Sequence, residues 1–263
     1  MDGVPPPTRR RPLLLVLATL VAVLAGALVL IVLAGVVIAL RLDDDREPPP
    51  RRGDGLVPAS VDRDTPIPQP VALAADVDLG QWAAGVARAH DLPARVVRAY
   101  GAAELAQRER TPDCRLSWVT LAGIGRVESR HGTYGGSEVD ADGVARPSIV
   151  GVPLDGTGGT REVADTDGGR LDGDADLDRA VGPMQFLPAT WQRYGADGND
   201  DGVRDPQNID DAALAAAGYL CADGRDTATG EGWWDGVLTY NASGDYARLV
   251  WAAAERYGTE TAS

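Results

Sequence analysis

Hydrophobic positions follow three regimes along the chain. Leu13 to Leu40 is an uninterrupted run of apolar and small residues. At ~1.5 Å per residue, a helix of that length exceeds the ~30 Å hydrocarbon thickness of a bilayer. Residues 41–76 lose the pattern; "DDDREPPPRRGDG" (43–55) is dense in Pro and charge and reads as an extended spacer. From Val77 onward helical periodicity returns. Helices are expected over Leu79–His90 and Pro93–Arg108, where Pro93 suits a first helical turn, and over an apolar segment ending near Glu128. More follow near Pro188–Tyr194, Ile209–Cys221, Trp234–Asn241 and Tyr246–Tyr257. The last puts Tyr246, Leu249, Val250 and Ala253 on one stripe, the spacing of a core-facing helix. Between Glu128 and about Arg179 the chain is rich in Gly and Asp, so an irregular or short-stranded insertion is expected inside a mostly α fold.

The apolar run is flanked by Arg9–Arg11 before it and "RLDDDRE" after it. The positive-inside rule then leaves residues 1–12 in the cytoplasm, 13–40 as a transmembrane signal anchor, 41–76 as an extracytoplasmic linker and 77–263 as the folded domain. "AGA" at Ala25–Ala27 resembles a signal-peptidase site, but cutting there strands an apolar tail, so an uncleaved anchor is the preferred reading.

Composition narrows the partners. The formal charge is −14, which excludes a basic nucleic-acid-binding surface. All 25 cationic residues are Arg, and six Trp and seven Tyr stand against one Phe. The two cysteines, Cys114 and Cys221, read as a disulfide in an extracytoplasmic domain. His90 and His131 are the only histidines, so a His-based metal centre or Ser–His triad is poorly supported. His131 follows a helix end, where a cation would suit the helix dipole.

Glu128 is the anomaly. In "LAGIGRVESRHG" (121–132), Leu121, Ile124, Gly125 and Glu128 fall at i, i+3, i+4 and i+7. A carboxyl on that buried stripe must be neutral, paired or catalytic. Further along, "DGNDDGVRDPQN" (197–208) sets Asp197, Asn199, Asp201, the Val203 carbonyl and Asp205 at calcium-loop positions, with Gly202 at the turn. Asn208 takes the final position in place of a bidentate Glu, with Asp210 or Asp211 able to complete the shell. A structural Ca²⁺ is expected there.

Three motifs occur in order: "ESRHG" closing the apolar helix, "AVGPMQFLPATW" (180–191) and "TYNAS" (239–243). With the calcium-like loop after the second, the set resembles the lytic murein transglycosylases of the membrane-bound B type, enzymes related to the soluble transglycosylases. The resemblance spans about residues 77–260 and implies an α+β lysozyme-like fold. It also implies cleavage of the β-1,4 bond between N-acetylmuramic acid and N-acetylglucosamine in peptidoglycan glycan strands, with 1,6-anhydro ring formation and no catalytic cofactor. Glu128 matches the catalytic acid/base. Ser129, Gln185, Tyr240, Asn241 and Tyr246 match substrate-cleft positions, and 197–208 matches the metal loop.

Two alternatives stay open. A muramidase would hydrolyse the same bond with water, with Glu138, Asp140 or Asp142 as the second carboxyl. A non-catalytic peptidoglycan-binding module would keep the cleft without turnover. A calcium-dependent adhesion module explains less, because it leaves the Glu128 stripe without a purpose.

Overall fold

Five buried Trp side chains (118, 191, 233, 234 and 251) and an Ala-rich helix define where the core sits. The computed structural model describes residues 59–65, 67, 72–157 and 161–260. The anchor expected over 13–40 and residues 41–58 of the linker lie outside them, and among the described residues no helix is long and apolar enough to cross a membrane.

Seven α-helices occur among these residues: α1 (Leu79–His90), α2 (Ala94–Arg110), α3 (Trp118–Ser129), α4 (Pro188–Tyr194), α5 (Ile209–Leu220), α6 (Gly230–Tyr240) and α7 (Gly244–Glu260). Helix α5 is the hub. Its run Ala212–Ala217 is buried throughout, because small side chains allow close packing against α2, α4 and α6. Helix α3 lies against α2 and α7. At Gly123, an added Cβ would stand 2.7 Å from the Val250 carbonyl of α7, so the two backbones nearly touch.

Helix ends follow local chemistry. Asp78 caps α1 by accepting the Gln81 N–H at 3.0 Å. Thr229 caps α6 through the Gly232 N–H, so that helix starts a turn before the expected Trp234. The insertion is short-stranded, as anticipated: β1 (Glu138–Val139) pairs antiparallel with β2 (Ala145–Arg146), and the rest is turns and isolated bridges.

Cys114 and Cys221 form a disulfide with Cα atoms 5.5 Å apart. It joins the turn before α3 to the end of α5 across 107 residues, worth about 4–5 kcal/mol in the chain-entropy model.

The linker expected over 41–76 is not a free spacer in its described part. The Ala59 N–H donates to the Arg248 carbonyl at 3.3 Å, and Arg63 pairs with Asp235 at 2.9 Å. Ile67 is 2% exposed inside the core. Leu73 is buried too; its N–H donates to Glu104 at 3.3 Å and its carbonyl accepts from Arg108 at 2.6 Å. Isolated apolar residues in a Pro-rich, charged context carry no periodic signal, so only their burial shows that the described residues before α1 pack on the domain.

Candidate active site

Helix α3 delivers Glu128 to its C-terminal turn. The Tyr246 hydroxyl, from the first turn of α7, donates to Glu128 Oε1 at 2.6 Å. Burial raises the Glu128 carboxyl from the ordinary 4.5 to about 7, opposed by that single hydrogen bond. The residue is half-buried. Such a group exchanges a proton near neutral pH. Tyr246 and Tyr240 are pushed well above the usual tyrosine range, first by burial and then by the nearby Glu128 charge. Both therefore remain hydroxyl donors.

The "GPMQF" turn forms the facing wall. Val181 and Phe186 exchange two backbone hydrogen bonds at 2.9 Å, leaving residues 182–185 as a tight turn. Gly182 is obligatory: with φ +77°, an added Cβ would stand 1.8 Å from the Pro206 carbonyl. Gln185 takes φ +50° between buried Met184 and Phe186. Its side-chain N–H donates to the Gly182 carbonyl at 3.0 Å, which fixes the amide.

Two consecutive carbonyls fasten this turn to α3 and α6. Pro183 accepts from Ser129 Oγ at 2.5 Å. Met184 accepts from the Tyr240 hydroxyl at 2.7 Å. The Tyr240 ring packs edge-on to Phe186.

These contacts redraw several expected roles. Glu128 and Tyr246 are in contact. Ser129, expected at a cleft position, is 1% exposed, and its hydroxyl is committed to Pro183 and to the Gly132 N–H at 2.8 Å. Tyr240 lines the site, but its hydroxyl braces the turn. Asn241 stands exposed at the end of α6. His131 is not a cationic helix cap. It is buried, and burial together with the Arg126 charge lowers its imidazole to about 3, so it is neutral. Sequence reasoning missed Tyr100 and Tyr257, which flank His131, because both occupy ordinary core positions on helix stripes.

The calcium-like loop keeps its oxygens close to home. Asp197 accepts the Asp201 and Gly202 N–H groups at 3.2 and 2.8 Å, and Asp201 accepts the Val203 N–H at 2.8 Å. Asp205 accepts the Gln207 N–H at 2.8 Å. Asn199 accepts from the Asp201 N–H and donates to the Asp201 carboxyl. Asn208, expected as the last ligand, instead caps α5 by accepting the Asp210 N–H at 2.9 Å. Asp210 is committed to Arg95. Asp211 closes the loop, accepting the Gly198 and Asp205 N–H groups. Its carboxyl is raised by burial, with a smaller push from Asp197 and Asp201. The donor set is all oxygen and suits a hard cation, but among the described residues no group of three or more His, Cys, Asp or Glu is placed to hold one.

Residues 177–239 match the family model described as Transglycosylase SLT domain, about a quarter of the chain. The matched span carries the "GPMQF" turn, the acidic loop and α4 to α6, but neither Glu128 nor Tyr246. No curated protein and no solved structure matches the chain. Lytic transglycosylases need no catalytic cofactor. The likeness is to that domain over these residues, the segment whose turn is bonded to Ser129 of α3 and Tyr240 of α6.

Proposed function

We propose that this chain is a membrane-anchored lytic transglycosylase of the B type. It cleaves the β-1,4 bond between N-acetylmuramic acid and N-acetylglucosamine and closes a 1,6-anhydro ring, with Glu128 as the single acid and base. The observation that carries this reading is the setting of Glu128: half-buried, raised to about 7, and held by one neutral donor. Protonated Glu128 gives its proton to the glycosidic oxygen as the C1–O bond breaks. The carboxylate then takes the proton from the muramoyl C6 hydroxyl as that oxygen bonds to C1 of the same sugar. The carboxyl is regenerated and no water is consumed.

A hydrolase would need a second carboxyl to activate water. Asp140, one candidate, is engaged elsewhere: it pairs with Arg146 at 2.8 Å and accepts the Val144 N–H, and these contacts hold its carboxyl below the usual range. No carboxylate contributes to the Glu128 shift. Gln185 and Asn241 are assigned to sugar contact. The apolar length of 13–40 and the Arg cluster before it favour an extracytoplasmic domain facing the wall polymer.

Mass spectrometry of muropeptides released from purified peptidoglycan by the full chain in detergent tests the reading. Anhydromuramoyl ends from the wild type, and none from Glu128→Gln, are expected. Reducing ends would establish a hydrolase, and no release would favour the binding module.

A further inference from the structure

Two consecutive non-glycine residues just after α3 lie in the left-handed region, Arg130 at φ 53° and His131 at φ 61°. L side chains rarely adopt this conformation, and helix ends usually place glycine there. The turn satisfies the last carbonyls of α3: the Arg130 N–H donates to the Arg126 carbonyl at 3.2 Å and the His131 N–H to the Gly125 carbonyl at 2.9 Å. Such a turn persists only where its surroundings over-determine it.

The His131 side chain supplies that determination. It points back into the core, 2% exposed. Nδ1 lies 3.2 Å from the Tyr100 hydroxyl of α2, and Nε2 lies 2.9 Å from the Tyr257 hydroxyl of α7. A neutral imidazole has one donor and one acceptor nitrogen, and two hydroxyls can satisfy both. Gly125 makes room for the bridge, since a Cβ there would stand 2.0 Å from the Tyr100 hydroxyl. Tyr257 and Tyr246 sit three turns apart on α7, so the bridge and the donor to Glu128 belong to one rigid element.

We infer that His131 is a positioning residue for Glu128: its bridge between Tyr100 and Tyr257 locks the left-handed turn and so holds the Glu128 carboxyl against Tyr246, away from water. The inference rests on the reading of Glu128 as the acid. Without the bridge the turn relaxes, water reaches the carboxyl, and the elevation that burial gives it is lost.

The test uses the full chain in detergent with His131→Phe, Tyr100→Phe and Tyr257→Phe. On peptidoglycan glycan strands, each variant should lower kcat roughly tenfold with KM within twofold, and move the alkaline limb of the kcat profile below that of the wild type. His131→Gln, which keeps a donor and an acceptor, should recover part of the loss. A side chain that merely fills space would leave the limb in place. In parallel, ¹³C NMR of the Glu128 carboxyl reads its titration without turnover, with the midpoint expected near 7 in the wild type and lower in each variant. An inactive wild type would overturn the function while leaving this midpoint comparison decisive for His131. An unmoved midpoint in folded His131→Phe overturns the inference. If that variant does not fold, unmoved midpoints in both tyrosine variants overturn it.

Discussion

Two glutamates meet α3, one at each end: Glu104 is buried, Glu128 is half-buried, and their partners differ. Glu104, on α2, is 2% exposed. It accepts the Trp118 N–H at 2.8 Å, the Leu73 N–H at 3.3 Å and a contact from Arg108. It thereby caps the N-terminus of α3 and ties the segment before α1 to it. Glu128, at the other end of the same helix α3, is half-buried and has one neutral donor. Burial raises both carboxyls. At Glu104, two backbone N–H groups and a guanidinium oppose the rise; at Glu128, one hydroxyl does. A satisfied carboxylate stabilises the fold, whereas an under-satisfied one holds a proton it can give away.

Swapping each group out should separate the two roles. The largest effect is expected on turnover: Glu128→Gln should lower it by about 10²–10⁴-fold, the usual contribution of a general acid/base, measured by anhydromuropeptide release. The same variant should not destabilise the protein. Because the folded pKa of Glu128 lies above its unfolded value, its contribution to stability is fully present below about 4.5 and is lost as pH rises through about 7. Glu128→Gln should therefore melt progressively higher than the wild type between pH 5 and pH 8. A gap that does not widen would contradict the raised pKa.

Glu104→Ala should do the reverse. It leaves two backbone donors unpaired and takes the carboxylate partner from Arg108, at a cost of about 3 kcal/mol. Urea unfolding should show this, while turnover per folded molecule stays near wild type. Equal loss of turnover and stability would mean that the two ends of α3 are not separable.

A subtler change sharpens the picture at Glu128 itself. Tyr246→Phe removes the only hydrogen bond that lowers the Glu128 pKa. The alkaline limb of activity, expected near pH 7, should move upward, with kcat reduced several-fold through lost orientation. The pH–rate profile decides this. The smallest effect belongs to the acidic loop. Asn208→Ala should cost about 1 kcal/mol through loss of the α5 cap, and melts with calcium or with a chelator should show the same cost. A cost that appears only with calcium would restore Asn208 as a ligand.

Much of the helical frame was legible from periodicity alone. Leu79–His90 and Pro188–Tyr194 occur with the expected limits, because each has a local start signal and a clear apolar stripe. Glu128 could be singled out for the same reason, since a carboxyl on a buried stripe violates the pattern around it. Ser129, His131 and Asn208 were less readable. A buried hydroxyl bonded to Pro183 across 54 residues and a surface hydroxyl bonded to a sugar have the same local sequence. A helix-end histidine suggests a charge until its two tyrosine neighbours are known. Asn208 suits a calcium loop and a helix cap equally well, and the start of α5 decides between them.

The amino-acid sequence by itself determined the helical stripes, the cysteine pair and the carboxyl that does not belong in its stripe, because these depend on spacing within a few turns or on redox context. Only the tertiary structure decided which polar groups find partners. Glu104 gathers donors from residues 73, 108 and 118, and His131 gathers hydroxyls from α2 and α7. Glu128 meets Tyr246 alone among the described hydrogen bonds. Whether a buried polar group is structural or reactive depends on how many partners reach it, and those partners come from distant parts of the chain.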